Sequence, residues 1–110
     1  LGQAIADYDA VERVAILATG GISHDIATPR MGMVNEEFDQ TFLGHMESGD
    51  IDATIQYATD FVHTAGNGCE EIRMWMAAMG AANGATFERT YYKAVNDWYT
   101  GIGIGRFRVS

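Results

Sequence analysis

The stretch Val14-Ala15-Ile16-Leu17-Ala18-Thr19-Gly20-Gly21-Ile22-Ser23-His24 sets an unbroken apolar run directly before two glycines and a histidine. A short apolar run without alternation predicts a strand covered on both faces, the form strands take in α/β sheets. In open α/β sheets ligand sites lie beyond the carboxyl ends of strands, so His24 stands where such a fold does its chemistry. An imidazole titrates near neutrality, and a glycine turn lets it project into a cleft. By spacing alone His24 is equally a histidine that only hydrogen-bonds within its loop.

Downstream, residues 25–34 contain Thr28-Pro29-Arg30 and Gly32, the composition of a loop that could fold back as a lid or wall. Asn35 then offers a helix N-cap, with Glu36 and Glu37 in the first turn where the helix dipole favours negative charge. Val34, Phe38, Phe42 and Met46 follow at spacing four, with Leu43 beside them, and predict one buried face. Ser48-Gly49-Asp50 ends that helix and caps a second, whose Ile51, Ile55, Ala58 and Val62 are expected to form another buried stripe. Ala65-Gly66-Asn67-Gly68 breaks the pattern, and a third helix is predicted over residues 69–82 with Ile72, Trp75, Met76 and Met79 in the core. Thr86, Phe87, Thr90, Tyr91 and Tyr92 predict a strand, and residues 102–109 another. The alternation Gly101-Ile102-Gly103-Ile104-Gly105 lacks the spacing of a dinucleotide fingerprint and reads as a strand closely approached by other groups. Upstream, residues 1–10 read as the tail of a helix, and the chain is taken as a piece of something longer.

The chain has 110 residues, 47% of them hydrophobic and only one proline, which suits one packed unit rather than disorder. Its formal charge of -8 supplies none of the clustered basic side chains that nucleic acid or an anionic membrane would need. Between residues 35 and 71 there are nine Asp or Glu and no Lys or Arg, as expected of solvated helices. Cys69 is the only cysteine. It permits neither an internal disulfide nor a thiolate cluster, fits a reducing cytoplasm, and reads as packed and inert. No run has the length of a membrane-spanning helix.

Glu70 and Glu71 point to different sides of the third helix. Glu70 can pair with Arg73 three residues on, whereas Glu71 flanks the apolar stripe beside Trp75 and is expected to approach the interior. A carboxylate there must be paired or bound to a cation, so a metal ligand and a buried salt bridge both fit. His45 and His63 fall off the apolar stripes and read as surface histidines. Ser23 beside His24 makes no dyad, because no nucleophile elbow is present.

The segment ending in Gly20-Gly21-Ile22-Ser23-His24, then Asn35-Glu36-Glu37-Phe38-Asp39, then Glu71-Ile72-Arg73-Met74-Trp75, resembles the C-terminal part of the class III extradiol ring-cleavage dioxygenases, the family of the protocatechuate 4,5-dioxygenase catalytic subunit. The resemblance runs from about residue 14 to residue 92. It implies an α/β chain that is the C-terminal part of a three-layer α/β/α domain with a mixed sheet. It further implies His24 as the acid/base of catalysis and Glu71 as a ligand of non-haem Fe(II), with a catechol and O2 as substrates and a homo- or hetero-oligomeric assembly. The base would take a proton from the catechol and later return it. Two further iron-binding histidines belong to the N-terminal part in that family, and nothing in this sequence matches them. The chain is therefore expected to be a fragment inactive by itself. Two alternatives stay open: a non-catalytic interaction half-domain, and a metal-binding member of the same fold without dioxygenase activity. For the substrate, Asn35-Glu36-Glu37-Phe38-Asp39 looks like the protocatechuate branch. Ser23-His24-Asp25 and Tyr91-Tyr92 followed by Trp98 look like the 2,3-dihydroxyphenylpropionate branch. A carboxylated catechol satisfies both.

Overall fold

A helix N-cap needs a side-chain acceptor for the free amides of the first turn, and two such residues start the central helices. In the computed structural model of the protein, which describes residues 1–9 and 12–108, Asn35 Oδ1 accepts from the Phe38 N–H at 3.0 Å and opens α2, Glu36–Ser48. Gly49 closes α2 in the left-handed conformation, with φ 76°. Asp50 Oδ1 accepts from the Ala53 N–H at 3.0 Å and opens α3, Ile51–Phe61. α2 and α3 form the helical hairpin that the sequence predicts. A short α1, Gly2–Ala6, precedes them. Ala10 and Val109, which the sequence reading assigned to the first helix and last strand, lie outside the described residues.

After α3 the chain tightens into two 3-10 turns, Val62–Ala65 and Asn67–Glu71, before α4, Ile72–Ala81. The third helix thus begins later than residue 69, and Glu71 sits at the junction of the 3-10 and α segments. Two long strands follow, β1 over Thr86–Val95 and β2 over Thr100–Arg108, paired antiparallel with an irregularity between Arg89 and Tyr91.

The core is aromatic at its centre. α2 contributes Phe38, Phe42, Leu43 and Met46, α4 contributes Ile72, Trp75 and Met79, and β1 contributes Phe87. Trp75 packs edge-on against both Phe42 and Phe87, with ring centroids 6.5 and 6.3 Å away. β2 reaches this core because alternate positions of a strand share a face, and on that face it carries Gly101, Gly103 and Gly105 before Phe107, whose ring packs on Phe87 with centroids 5.2 Å apart. A Cβ at Gly103 would lie 2.9 Å from the Trp75 ring, one at Gly101 would overlap the Asp39 carboxylate, and one at Gly105 would overlap the Phe87 ring. The glycine alternation is a strand under close approach, as expected.

The run before the glycines departs from expectation. Residues 14–18 make no strand pairing, and Leu17 is 84% exposed. A strand in an α/β sheet is covered by neighbouring strands and by helices on its faces, and the described residues supply neither there. What they contain is one two-stranded antiparallel sheet; helices and strands are both present, but no mixed sheet. Only residues 22–24 reach β2, through Ile22 N–H to the Gly101 carbonyl (3.0 Å) and Gly101 N–H to the Ser23 carbonyl (2.9 Å). Before that point the chain stands off from β2, leaving an open cleft of about 1240 Å³ whose lining includes Val14, Leu17, Trp75, Phe87 and Ile104.

α3 differs too. It buries Thr54 and Ala58, while Ile51 and Ile55 remain 38% and 45% exposed. Ile51 still reaches α4, its Cδ1 lying 3.9 Å from where a Cβ on Gly80 would stand. No helix among the described residues is long and apolar enough to cross a membrane.

Truncating Phe42, fully buried among aromatic neighbours, should cost about 3–5 kcal/mol of unfolding free energy. Ile55→Ala should cost under about 1 kcal/mol. Chemical denaturation of both variants checks this, and equal losses would place α3 wrongly.

Candidate active site

The glycine turn is held peptide by peptide. In the group joining Gly20 to Gly21, the Gly21 N–H donates to Glu71 Oε2 at 2.7 Å. The Gly20 carbonyl of the same group accepts from Trp75 Nε1 at 3.1 Å. Residues four apart on a helix are neighbours on its surface, so Glu71 and Trp75 grip one peptide group from two sides. Gly20 has φ +130°, and a Cβ there would come within 2.9 Å of Glu71 Oε2. Only glycine suits that conformation so close to a carboxylate.

Two residues on, the peptide group joining Ile22 to Ser23 is held in the same manner. The Ser23 N–H donates to Asp39 Oδ1 at 2.9 Å, and the Ile22 carbonyl lies 2.9 Å from His24 Nδ1. A carbonyl can only accept, so Nδ1 carries the proton and neutral His24 presents Nε2 as its basic nitrogen. Nε2 points toward Glu71, 3.9 Å from Oε2, too far for a hydrogen bond.

The backbone of His24 is equally constrained. Its N–H donates to the Ala65 carbonyl at 3.0 Å, and its carbonyl accepts from the Gly68 N–H at 3.1 Å. A side chain at Gly66 would overlap the His24 carbonyl, and one at Gly68 would overlap the imidazole. The segment that the sequence reading took only as a break between helices is thus the surface on which His24 lies. Nothing in the sequence pairs residue 68 with residue 24.

Asp39 is the second functional candidate that sequence reasoning did not single out. It is fully buried and accepts from the Ser23 N–H, from Ser23 Oγ at 2.9 Å and from the Tyr92 hydroxyl at 2.6 Å. Ser23 Oγ in turn accepts from the Asn35 N–H at 2.9 Å. Ser23 is therefore a structural link rather than a nucleophile. Burial raises the Asp39 carboxyl above its ordinary value, opposed by donors from Tyr92 and Ser23, with Glu36 raising it further. Burial, and then its bond to Asp39, pushes the Tyr92 phenol up, so it remains a donor.

Glu71 departs from expectation: its side chain is 50% exposed rather than interior. Entry through a 3-10 turn leaves it at the edge of the core, where the described residues place nothing over it. Glu70 pairs with Arg73 at 2.6 Å, as predicted. His45 is half-buried against the Tyr57 ring, 5.0 Å between centroids, while His63 is exposed, and neither is brought to His24 and Glu71. Among the described residues no group of three or more His, Cys, Asp or Glu could hold a metal ion. Cys69 is buried and its thiol is pushed far up by burial, consistent with an inert packed residue. The loop over residues 25–34 is tied down by side chains: Thr28 Oγ1 donates to Asp25 at 2.9 Å and Arg30 to the Thr64 carbonyl at 3.2 Å.

The family described as the catalytic LigB subunit of aromatic ring-opening dioxygenase matches residues 1–105. A 2,3-dihydroxyphenylpropionate/2,3-dihydroxicinnamic acid 1,2-dioxygenase of Rhodococcus sp is 33% identical over 103 residues, covering 90% of this chain and 32% of the relative. One of the same name from Rhodococcus jostii (strain RHA1) is 31% identical, with the same coverage. A gallate dioxygenase of Pseudomonas putida is 31% identical over 94 residues, covering 84% of this chain and 28% of the relative. The chain spans about a third of the length of these curated relatives.

The sign of the Asp39 shift gives a testable consequence. Its folded-state value lies above the ordinary 3.8, so folding favours the protonated form, and that contribution grows as pH falls through the folded value toward 3.8. The Tm difference between wild type and Asp39→Asn should move in favour of wild type as pH is lowered from neutrality toward 3.8. A difference constant with pH, or moving the other way, would contradict the shift.

Proposed function

The chain belongs to the family of the catalytic LigB subunit of aromatic ring-opening dioxygenases, and on that premise we propose that it carries part of the active site of an enzyme that cleaves a catechol ring beside its diol. His24 is the acid/base and Glu71 one ligand of non-haem Fe(II). The observation that carries this reading is the orientation of His24: Nδ1 is engaged by the Ile22 carbonyl, which leaves Nε2 facing Glu71.

The donor set suits iron as far as it goes. Glu71 offers a half-exposed carboxylate held by one backbone N–H, which is one arm of a triad of two histidines and one carboxylate. The two histidines would come from the part of the protein that the relatives have and this chain lacks. Held in part by Glu71, iron would supply the Lewis-acid and redox chemistry that ring opening by O2 requires. The protein's own share follows from its residues. Nε2 of His24, unprotonated in the neutral ring, accepts a proton from a catechol hydroxyl brought beside Glu71 and returns it as cleavage proceeds. The Gly21 N–H steadies one carboxylate oxygen.

The remaining portion would also supply strands flanking residues 14–18. The open cleft of about 1240 Å³ beside Val14 and Ile104 lies where such strands would enter. The substrate fitting best is a catechol carrying a carboxylate, in keeping with relatives named for 2,3-dihydroxyphenylpropionate and gallate. The assembly is oligomeric, in line with the family's description as a catalytic subunit.

The test compares the chain with the complete protein. Each is given Fe(II) and a catechol anaerobically, then air, and watched for the yellow ring-opened product. The chain alone should give none, whereas robust product from it would contradict the need for further ligands. In the complete protein, Glu71→Ala should lose iron, while His24→Ala should retain iron and slow cleavage by about 10²–10⁴-fold. Iron retained by Glu71→Ala would refute its assignment.

A further inference from the structure

Asp39 and His24 engage opposite ends of a single amide. The Ser23 N–H donates to Asp39 Oδ1 at 2.9 Å, and the Ile22 carbonyl of that same peptide group accepts from His24 Nδ1 at 2.9 Å. We propose that Asp39 is the positioning carboxylate of His24 and acts through the peptide group joining Ile22 to Ser23.

The amide is a conjugated unit. A carboxylate drawing on its N–H places more negative charge on its carbonyl oxygen, and hydrogen bonds in such a chain reinforce one another by roughly 10–30% each. The strengthened carbonyl holds the proton on Nδ1. In catalytic triads a carboxylate does this directly, fixing the tautomer so that the far nitrogen is free to act as base. Here the carboxylate is one peptide removed. Without it the imidazole is free to carry its proton on Nε2, the atom that faces Glu71, and in that tautomer it cannot accept a proton there.

The surroundings keep the relay in place. Ile22 N–H to Gly101, Gly101 N–H to Ser23 and His24 N–H to Ala65 fix the backbone on both sides. Asp39 is fully buried, where solvent screens its charge less than at the surface. Tyr92 and Ser23 Oγ both donate to Oδ2, leaving Oδ1 to the Ser23 N–H. The catalytic meaning of the relay rests on reading His24 as the acid/base, but its existence does not.

The tautomer is read by 15N NMR of the His24 ring in the 110-residue chain at a pH where the ring is neutral. Neither iron, catechol nor oxygen is present, so an incorrect dioxygenase assignment leaves the outcome unchanged. Wild type should show the Nδ1–H form. In Asp39→Asn, which keeps the shape and removes the charge, the Nε2–H population should rise several-fold while amide signals away from the turn stay in place. In Tyr92→Phe, which removes a competing donor from the carboxylate, the Nδ1–H form should be kept or strengthened. A network that only props up the turn would shift both variants in the same direction. That result, an unchanged tautomer in Asp39→Asn, or an Nε2–H wild type would each overturn the proposal. Should Asp39→Asn not fold, couplings across the two hydrogen bonds in wild type decide. Both from Ser23 N–H to the Asp39 carboxyl carbon and from His24 Nδ1–H to the Ile22 carbonyl carbon must be seen, and the loss of either overturns it.

Discussion

Two peptide groups, one joining Gly20 to Gly21 and the other joining Ile22 to Ser23, are each gripped on both polar ends by side chains, three of them from distant parts of the chain and the fourth from the adjoining His24. Glu71 and Trp75 hold the first, and Asp39 and His24 hold the second. Hydrogen bonds to charged groups contribute about 1.5–3 kcal/mol and neutral ones about half that. The larger effect is geometric. A glycine turn has the widest conformational freedom of any segment, and these contacts reduce it to one arrangement in which Glu71 and His24 Nε2 face each other across 3.9 Å.

The rest of the fold supports that grip. The aromatic centre of Phe42, Trp75 and Phe87 fixes α4 against α2, so Glu71 at the start of α4 and Asp39 in α2 reach the turn together. β2 can pass beside Asp39, Trp75 and Phe87 because it offers glycine at each close approach. Burying an ionised Asp39 is costly, and the Tyr92 and Ser23 donors offset that cost by tying β1 and the turn to α2. The proposed acid/base and the proposed metal ligand thus stand on separate elements joined through the turn.

Much of this was legible in the residues. Asn35 and Asp50 announced α2 and α3, the spacing of Phe38, Phe42 and Met46 marked the buried face of α2, and the glycine alternation of β2 was read correctly as a crowded strand. Features that depend on distant parts of the chain were harder to see. Residues 14–18 have the composition of a covered strand, yet the neighbours that would cover it are not among the described residues. Of the stripe predicted for α3, Ala58 is buried, while Ile51 and Ile55 stay partly exposed and Thr54, outside the stripe, is buried in their stead. The helical period placed Glu71 on the flank of its stripe, but its exposure reflects what lies over it rather than its own helix. Asp39, Gly66 and Gly68 act on residues many positions away, and no local pattern encodes those pairings.

The central claim is that Glu71 and His24 share one site with unlike duties, one binding the metal and the other moving the proton. A crystal structure of the complete protein with Fe(II) bound tests it most directly. The account predicts the Glu71 carboxylate in bonding contact with the metal alongside two histidines from outside this chain, with His24 Nε2 turned toward the site and not bonded. Iron held without Glu71, or ligated by His24, would contradict it.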